Sequence, residues 1–247
     1  MATQYLDLVN KLLRRFNEVE LTQSNFANVR GVQALAKDAI LYGLNTINQQ
    51  NWKWPFNYIS GSGTTITCVV GQTEYTYPTS AEDVDFDNIY LLKNTSLSIT
   101  ATQLHKIGHD QYKRNFRECD LNATAAAQYG IPAWCFRTPG LMIGVSPKPK
   151  LAYTFTANYW IQPTPPSTYS DTTRIDTRFD DVIVDGGESY MYSVRKNLQQ
   201  SDAADKSFQK GIKRMRTLLI NDSADMSSTV SNVGRGGGGS SLYIRTL

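Results

Sequence analysis

Apolar residues at helical spacing stand near both ends of the chain, and a long stretch of strand-like alternation separates them. Tyr5, Leu8, Val9, Leu12, Leu13 and Phe16 make one apolar stripe, which predicts a helix over about 4–17. A second follows over about 31–50, with Leu35, Ala36, Ala39, Ile40, Gly43, Leu44 and Ile47 on one face. Its small residues let another helix approach closely. The pair runs into Trp52-Lys53-Trp54-Pro55-Phe56-Asn57, where Pro55 forbids continuation. Helicity returns near Thr177, with Phe179, Val182, Ile183, Tyr190, Met191, Val194 and Leu198 forming a stripe interrupted by Gly186-Gly187. A last helix, with Ser201 or Asp202 as its cap, carries Phe208, Ile212, Met215 and Leu219 on one side. Neither pair can cover its own stripe, so the two ends must meet.

Between them the period changes to two. Thr65, Thr67 and Val69 alternate with Ile66, Cys68 and Val70. Further strands are expected before Pro78 and over 88–92, 96–104, 132–137, 141–145 and 152–161, with a short helix over 108–116. The reading is α+β: a helical bundle from both chain ends, a central antiparallel β domain and an extended C-terminal arm. In boundaries, 1–55 and 171–221 make the helical part, 56–170 the β part and 222–247 a flexible docking arm.

Composition excludes several classes. The chain has 247 residues, 19% charged, with a net charge of +3, too mild for a dedicated nucleic-acid binder. Cys68, Cys119 and Cys135 are odd in number and far apart, so they form no disulfide framework and fit a reducing cytoplasm. No signal peptide stands at the start, and no apolar run approaches the roughly 20 residues that span a bilayer.

Catalytic and ligand patterns are weak. His105 and His109 are four apart, a spacing that binds zinc on a helix, but Gly108 weakens that helix and no close cysteine pair joins them. Asp83, Asp85 and Asp87 open like a calcium loop, yet Asn88 and Asn94 stand where it needs Gly and Glu; a solvated acidic turn is expected. The reading is therefore no catalytic, cofactor-binding or metal residue, and no enzyme.

Two surfaces invite partners. Lys206, Lys210, Lys213 and Arg214 leave the last helix on its non-apolar side. They suit a solvated face, an acidic partner, or unspecific contact with DNA phosphates. The tail 236–241 is Gly and Ser, either a spacer or a tether, and then Leu242, Tyr243, Ile244, Arg245 and Leu247 follow. A solvated end gains nothing from such apolar residues; a docking tip does.

The helix pair ending in Trp52-Lys53-Trp54-Pro55-Phe56-Asn57, the strand Gln72-Thr73-Glu74-Tyr75-Thr76-Tyr77-Pro78, the late helix pair and the arm together resemble the head-to-tail adaptors of tailed phages, of the tail tubular protein A type. Where such proteins often carry a Gly-Glu-Pro-like turn after the first helix, Glu18-Val19-Glu20-Leu21 stands here. The resemblance implies a dodecameric ring that joins the portal protein to a tail nozzle or tail-tube protein in the virion neck. It also implies a wall for DNA during ejection, assembly in the host cytoplasm, and arms that reach the portal. The alternative from another class is a tail-spike or carbohydrate-binding module with Trp and Tyr stacked on sugars.

Overall fold

The structure, a computed structural model, describes residues 2–50, 53–61, 64–94, 100–125 and 128–221. In chain order, β1 (Ala2–Gln4) leads into α1 (Tyr5–Arg15), and α2 (Val32–Asn48) follows. Then come β2 (Tyr58–Ile59), β3 (Thr65–Thr67), β4 (Glu74–Thr76), β5 (Ala81–Leu91), β6 (Thr102–Gln103) and β7 (His105–Lys106). Two short helices, α3 (His109–Asn115) and α4 (Arg117–Asn122), precede β8 (Trp134–Arg137), β9 (Met142–Ser146) and β10 (Thr154–Ile161). Last come β11 (Thr172–Asp176), α5 (Asp180–Val194) and α6 (Leu198–Arg216), and the described residues close on a π-helical turn over Thr217–Asn221. The fold is α+β. Two compact units divide it: the helical unit takes residues up to Phe56 and from Pro163 onward, and the β unit takes Asn57–Gln162.

The helical unit has one core. Leu8, Val9, Leu12, Leu13, Ala36, Ala39, Ile40, Ile47, Ile183, Met191, Phe208 and Met215 are buried in it together. Trp54 is 1% exposed, stacks on Phe56 and donates its indole N–H to the Ile47 carbonyl at 2.9 Å. Trp54 of the junction thus belongs to the helical core, with Phe56 packed against it.

Gly186-Gly187, expected as an interruption, is instead a packing seam. A Cβ on Gly43 of α2 would lie 2.7 Å from the Ile183 carbonyl of α5, and one on Gly187 would lie 3.0 Å from Leu12 and 3.3 Å from the Ala39 carbonyl. The backbones of α2 and α5 meet where side chains are missing.

Helices α1 and α5 end alike. Asn17 and Lys196 both take positive φ, 54° and 58°. Glu18 donates its N–H to the Leu13 carbonyl and Asn17 to the Arg14 carbonyl; Asn197 and Lys196 repeat the pattern on Tyr192 and Ser193. Between the two ends, Phe16 lies against the Tyr192 ring at 4.8 Å and the Arg195 guanidinium at 5.0 Å.

The unit departs from the sequence reading at two points. A strand absent from that reading precedes α1: β1 pairs antiparallel with β11, Ala2 opposite Asp176 and Gln4 opposite Thr172. A strand of three residues is too short to show a period. The cap of α6 is neither Ser201 nor Asp202. The helix starts at Leu198, and Asn197 accepts the Gln200 N–H on its side chain. Ser201 lies inside the helix and donates its hydroxyl to the Ser189 carbonyl of α5.

The β unit holds two sheets. One has the order β2-β10-β5-β6, with β3 sharing the β2 side of β10; the other has the order β4-β9-β8-β7. All pairs are antiparallel except β7 with β8. Strand β10 alternates as its sequence predicts, with Phe155, Ala157 and Tyr159 buried. They share a core with Ile89, Leu91, Leu104, Cys135, Ile143 and Val145. A smaller cluster seats α3 on β8, where the Tyr112 and Phe136 rings stack at 4.0 Å.

The acidic triplet is not a turn. Asp83, Asp85 and Asp87 lie in β5. Asp85 is buried and accepts hydrogen bonds from the Tyr58 hydroxyl at 2.9 Å and the Asn88 side chain at 2.7 Å. Alternation with Val84 and Phe86 carried the strand signal, which the charges masked. The strand expected over 96–104 reduces, among the described residues, to Thr102–Gln103. Helix α4 was not foreseen at all.

Candidate interaction surfaces

The α6 helix divides cleanly. Ala204, Phe208, Ile212 and Met215 are buried at intervals of three and four, which turns one face to the core. Lys206, Lys210, Lys213 and Arg214 are exposed on the rest. None of the four forms an ion pair among the described residues. Of these, Lys213 and Arg214 lie in the last turn, where a cation is electrostatically favourable because the carbonyl end carries partial negative charge.

The cations of α1 behave differently. Lys11 meets Asp180 of α5 at 2.7 Å, with the Asp180 side chain only 4% exposed. Thr3 of β1 donates to the same oxygen. Arg15 reaches Glu188 at 2.8 Å and also pairs with Asp185. Arg195 meets Glu18 at 3.3 Å. These charges fasten α1 to α5. Lys206, Lys210, Lys213 and Arg214 of α6 make no such pair among the described residues.

A groove of about 310 Å³ runs beside β11 in the helical unit, lined by Phe56, Arg174, Ile175, Asp176, Arg178, Phe179 and Leu219. Sequence reading missed it, because it depends on β11. The arm residues Leu242, Tyr243, Ile244, Arg245 and Leu247 lie outside the described residues.

In the β unit three loops converge. Cys68 donates its N–H to the Tyr153 carbonyl, Gly71 to Pro149 and Lys150 to Gly130. They leave Val69, Val70, Ile131 and Leu151 between 40% and 56% exposed. Val69 and Val70 were expected in a strand, which ends instead at Thr67; Ile131 and Leu151 are far away in sequence, so the cluster gave no signal.

His105 lies in β7 and His109 begins α3, so their spacing does not place them on one helical face. His105 packs on Trp134 at 5.2 Å and His109 on Phe136 at 5.8 Å. Burial pushes the Cys68 thiol up to about 11 and the Cys135 thiol up to about 12. A nucleophilic thiol needs the opposite shift. Among the described residues no three His, Cys, Asp or Glu side chains come together as metal ligands. Nor is any helix there long and apolar enough to cross a membrane.

A family model described as SU10 adaptor protein matches residues 3–235. No curated protein matches the chain. The matched span includes every helix and all the strands from β2 onward. It stops before Leu242, Tyr243, Ile244, Arg245 and Leu247, so the match does not extend to the arm tip.

Proposed function

The chain belongs to the SU10 adaptor protein family of bacteriophage adaptors, and on that premise we propose that it is the structural ring that joins a portal to the tail. The observation that carries the reading is the family match across both units. The raised pKa of the buried thiols Cys68 and Cys135, the opposite of what a nucleophile needs, fits a structural part.

In this proposal copies of the chain close a ring, as a dodecamer, beneath the portal. The α6 cations, Lys206, Lys210, Lys213 and Arg214, face the DNA path or an acidic portal surface. Passing DNA calls for weak, sequence-independent contact, which a row of unpaired side chains supplies without a shaped pocket. The arm, through Leu242, Tyr243, Ile244, Arg245 and Leu247, anchors each copy on the portal. Burial of such side chains contributes about 1.5–3 kcal/mol each before ordering costs, and a ring repeats the contact in every copy. The tail nozzle or tail tube meets the other side, and assembly takes place in the host cytoplasm.

The test is co-sedimentation of the purified chain with portal rings from the same phage, followed by negative-stain microscopy. A ring seated on the portal is expected. No binding at any ratio sinks the proposal. Changing the four α6 cations to Glu then separates their roles: lost portal binding assigns them to protein, while intact binding with altered DNA retention assigns them to the channel.

A further inference from the structure

Strand β11 has one ladder partner among the described residues, β1, whose three residues make a meagre sheet. A two-stranded ribbon is marginal in isolation, and an unpaired edge is a template for another strand. The groove lies along this strand: Arg174, Ile175 and Asp176 are consecutive, so their run follows β11 rather than crossing one face. Its floor is apolar, with Ile175 and Phe179 buried in the core and Phe56 and Leu219 packed against it. Arg174 and Asp176 stand on the outer side of the strand.

We propose that this groove seats residues 242–247 of the same chain, added to β11 as a third strand. The segment carries the bulky apolar residues of the stretch after Asn221, Leu242, Tyr243, Ile244 and Leu247, and its alternation fits both sides of the groove. Leu242 and Ile244 fall on one face, where Ile175, Phe179 and Leu219 offer apolar cover. Tyr243 and Arg245 fall on the other, beside the Arg174 guanidinium and the Asp176 carboxylate. A cation over the tyrosine ring and an ion pair are the contacts those types make.

The occupant comes from the same chain because of where the chain runs. Leu219 lines the groove, and residue 222 begins the Gly- and Ser-rich stretch three positions later. A tether of 222–241 has an end-to-end distance of about 25 Å, which keeps the tip at an effective concentration in the millimolar range. The seat deepens the docking-arm reading and rests on it: a tip held in its own groove is withheld from other surfaces until a tighter partner displaces it.

Hydrogen exchange with mass spectrometry on the intact chain, without any partner, tests the seat. The amides of 172–176 and 242–247 are expected to exchange at least about tenfold more slowly than in an Ile244→Pro variant, since proline cannot donate to a ladder. In the variant, 172–176 should match a chain cut after Ser241. Equal exchange in intact and variant chains overturns the proposal. Protection that vanishes on dilution also overturns it, because the occupant is then a second copy. Portal binding plays no part in this measurement, so its failure leaves the ring proposal to the co-sedimentation test.

Discussion

The helical unit and the β unit solve close packing differently. At the α2–α5 seam of the helical unit, Gly43 lets two backbones touch, and what a Cβ would strike first is the Ile183 carbonyl. In the β unit, Gly144 makes room for the ring of Phe136, and what a Cβ would strike is a side chain. Polar burial differs in the same way. The helical unit buries Asp180 against a lysine on another helix, whereas the β unit buries Asp85 among a tyrosine and an asparagine. Rigid seams tolerate no substitution; side-chain seams tolerate paired ones.

The largest expected effect breaks this comparison directly. Gly43→Leu should destabilise the helical unit by about 3 kcal/mol or more, since the carbonyl cannot move without the helix. Gly144→Ala should also destabilise, but Phe136→Leu in the same chain should recover part of the loss, because the clash is with that ring. Hydrogen exchange read peptide by peptide assigns each loss to its unit. A Gly43→Leu chain as stable as its parent would show that the seam is not tight.

Next comes Asp180→Ala. It leaves Lys11 and Thr3 without their acceptor, at a cost of about 2 kcal/mol, moderated because the Lys11 side chain is 36% exposed and reaches water. Chemical denaturation of the parent and the variant measures it. An unchanged midpoint would reduce the ion pair to a bystander.

Alkali should separate the units. In the β unit burial raises Cys68 to about 11 and Cys135 to about 12; burial, then Asp85, raises Tyr58 to about 12, and burial, then Asp120, raises Tyr112 to about 12. Fewer such groups stand in the helical unit, Tyr5 being one raised by burial. A raised acid keeps its proton in the fold while the unfolded chain loses it. The stability is complete below pH about 9 and falls as pH rises toward 12. The β unit should therefore lose protection first on titration from pH 8 upward. Simultaneous loss in both units would contradict the assignment.

The smallest effect is a gain. Lys196 holds a positive φ that glycine adopts freely, so Lys196→Gly should stabilise the helical unit by about 0.5–1 kcal/mol. A lower melting temperature would show that the Lys196 side chain does more than its backbone suggests.

The same contrast explains what the sequence disclosed. Helices α1, α2, α5 and α6 span many turns, so their stripes were legible, and Phe208, Ile212 and Met215 are buried as spacing alone placed them; the α5 stripe was read too far, since Val194 and Leu198 are 50% and 69% exposed and the helix ends at Val194. Strand β10 was legible because both its faces alternate. The ribbon of β1 and β11 was not, since three and five residues show no reliable period. Helix α4 was hidden for a like reason, having six residues and one buried side chain, Asp120. The groove beside β11 was invisible because three of its walls, Phe56, Ile175 and Leu219, are far apart in sequence. Position on α6 was legible for Lys206, Lys210, Lys213 and Arg214; that they form no ion pair among the described residues was not, because pairing is decided by what neighbouring helices present.

The helical core needs residues from both sides of the β unit, and this sets an order of events during synthesis. Helices α1 and α2 leave the ribosome first, with Leu8, Leu12, Ile40 and Ile47 exposed. Their partners on α5 and α6 follow only after the whole β unit has been made. At about 5–20 residues per second, that interval lasts on the order of 5–20 s. The β unit can close on its own strands during it. The first two helices cannot, and a nascent chain paused there presents the most adhesive surface it will ever show.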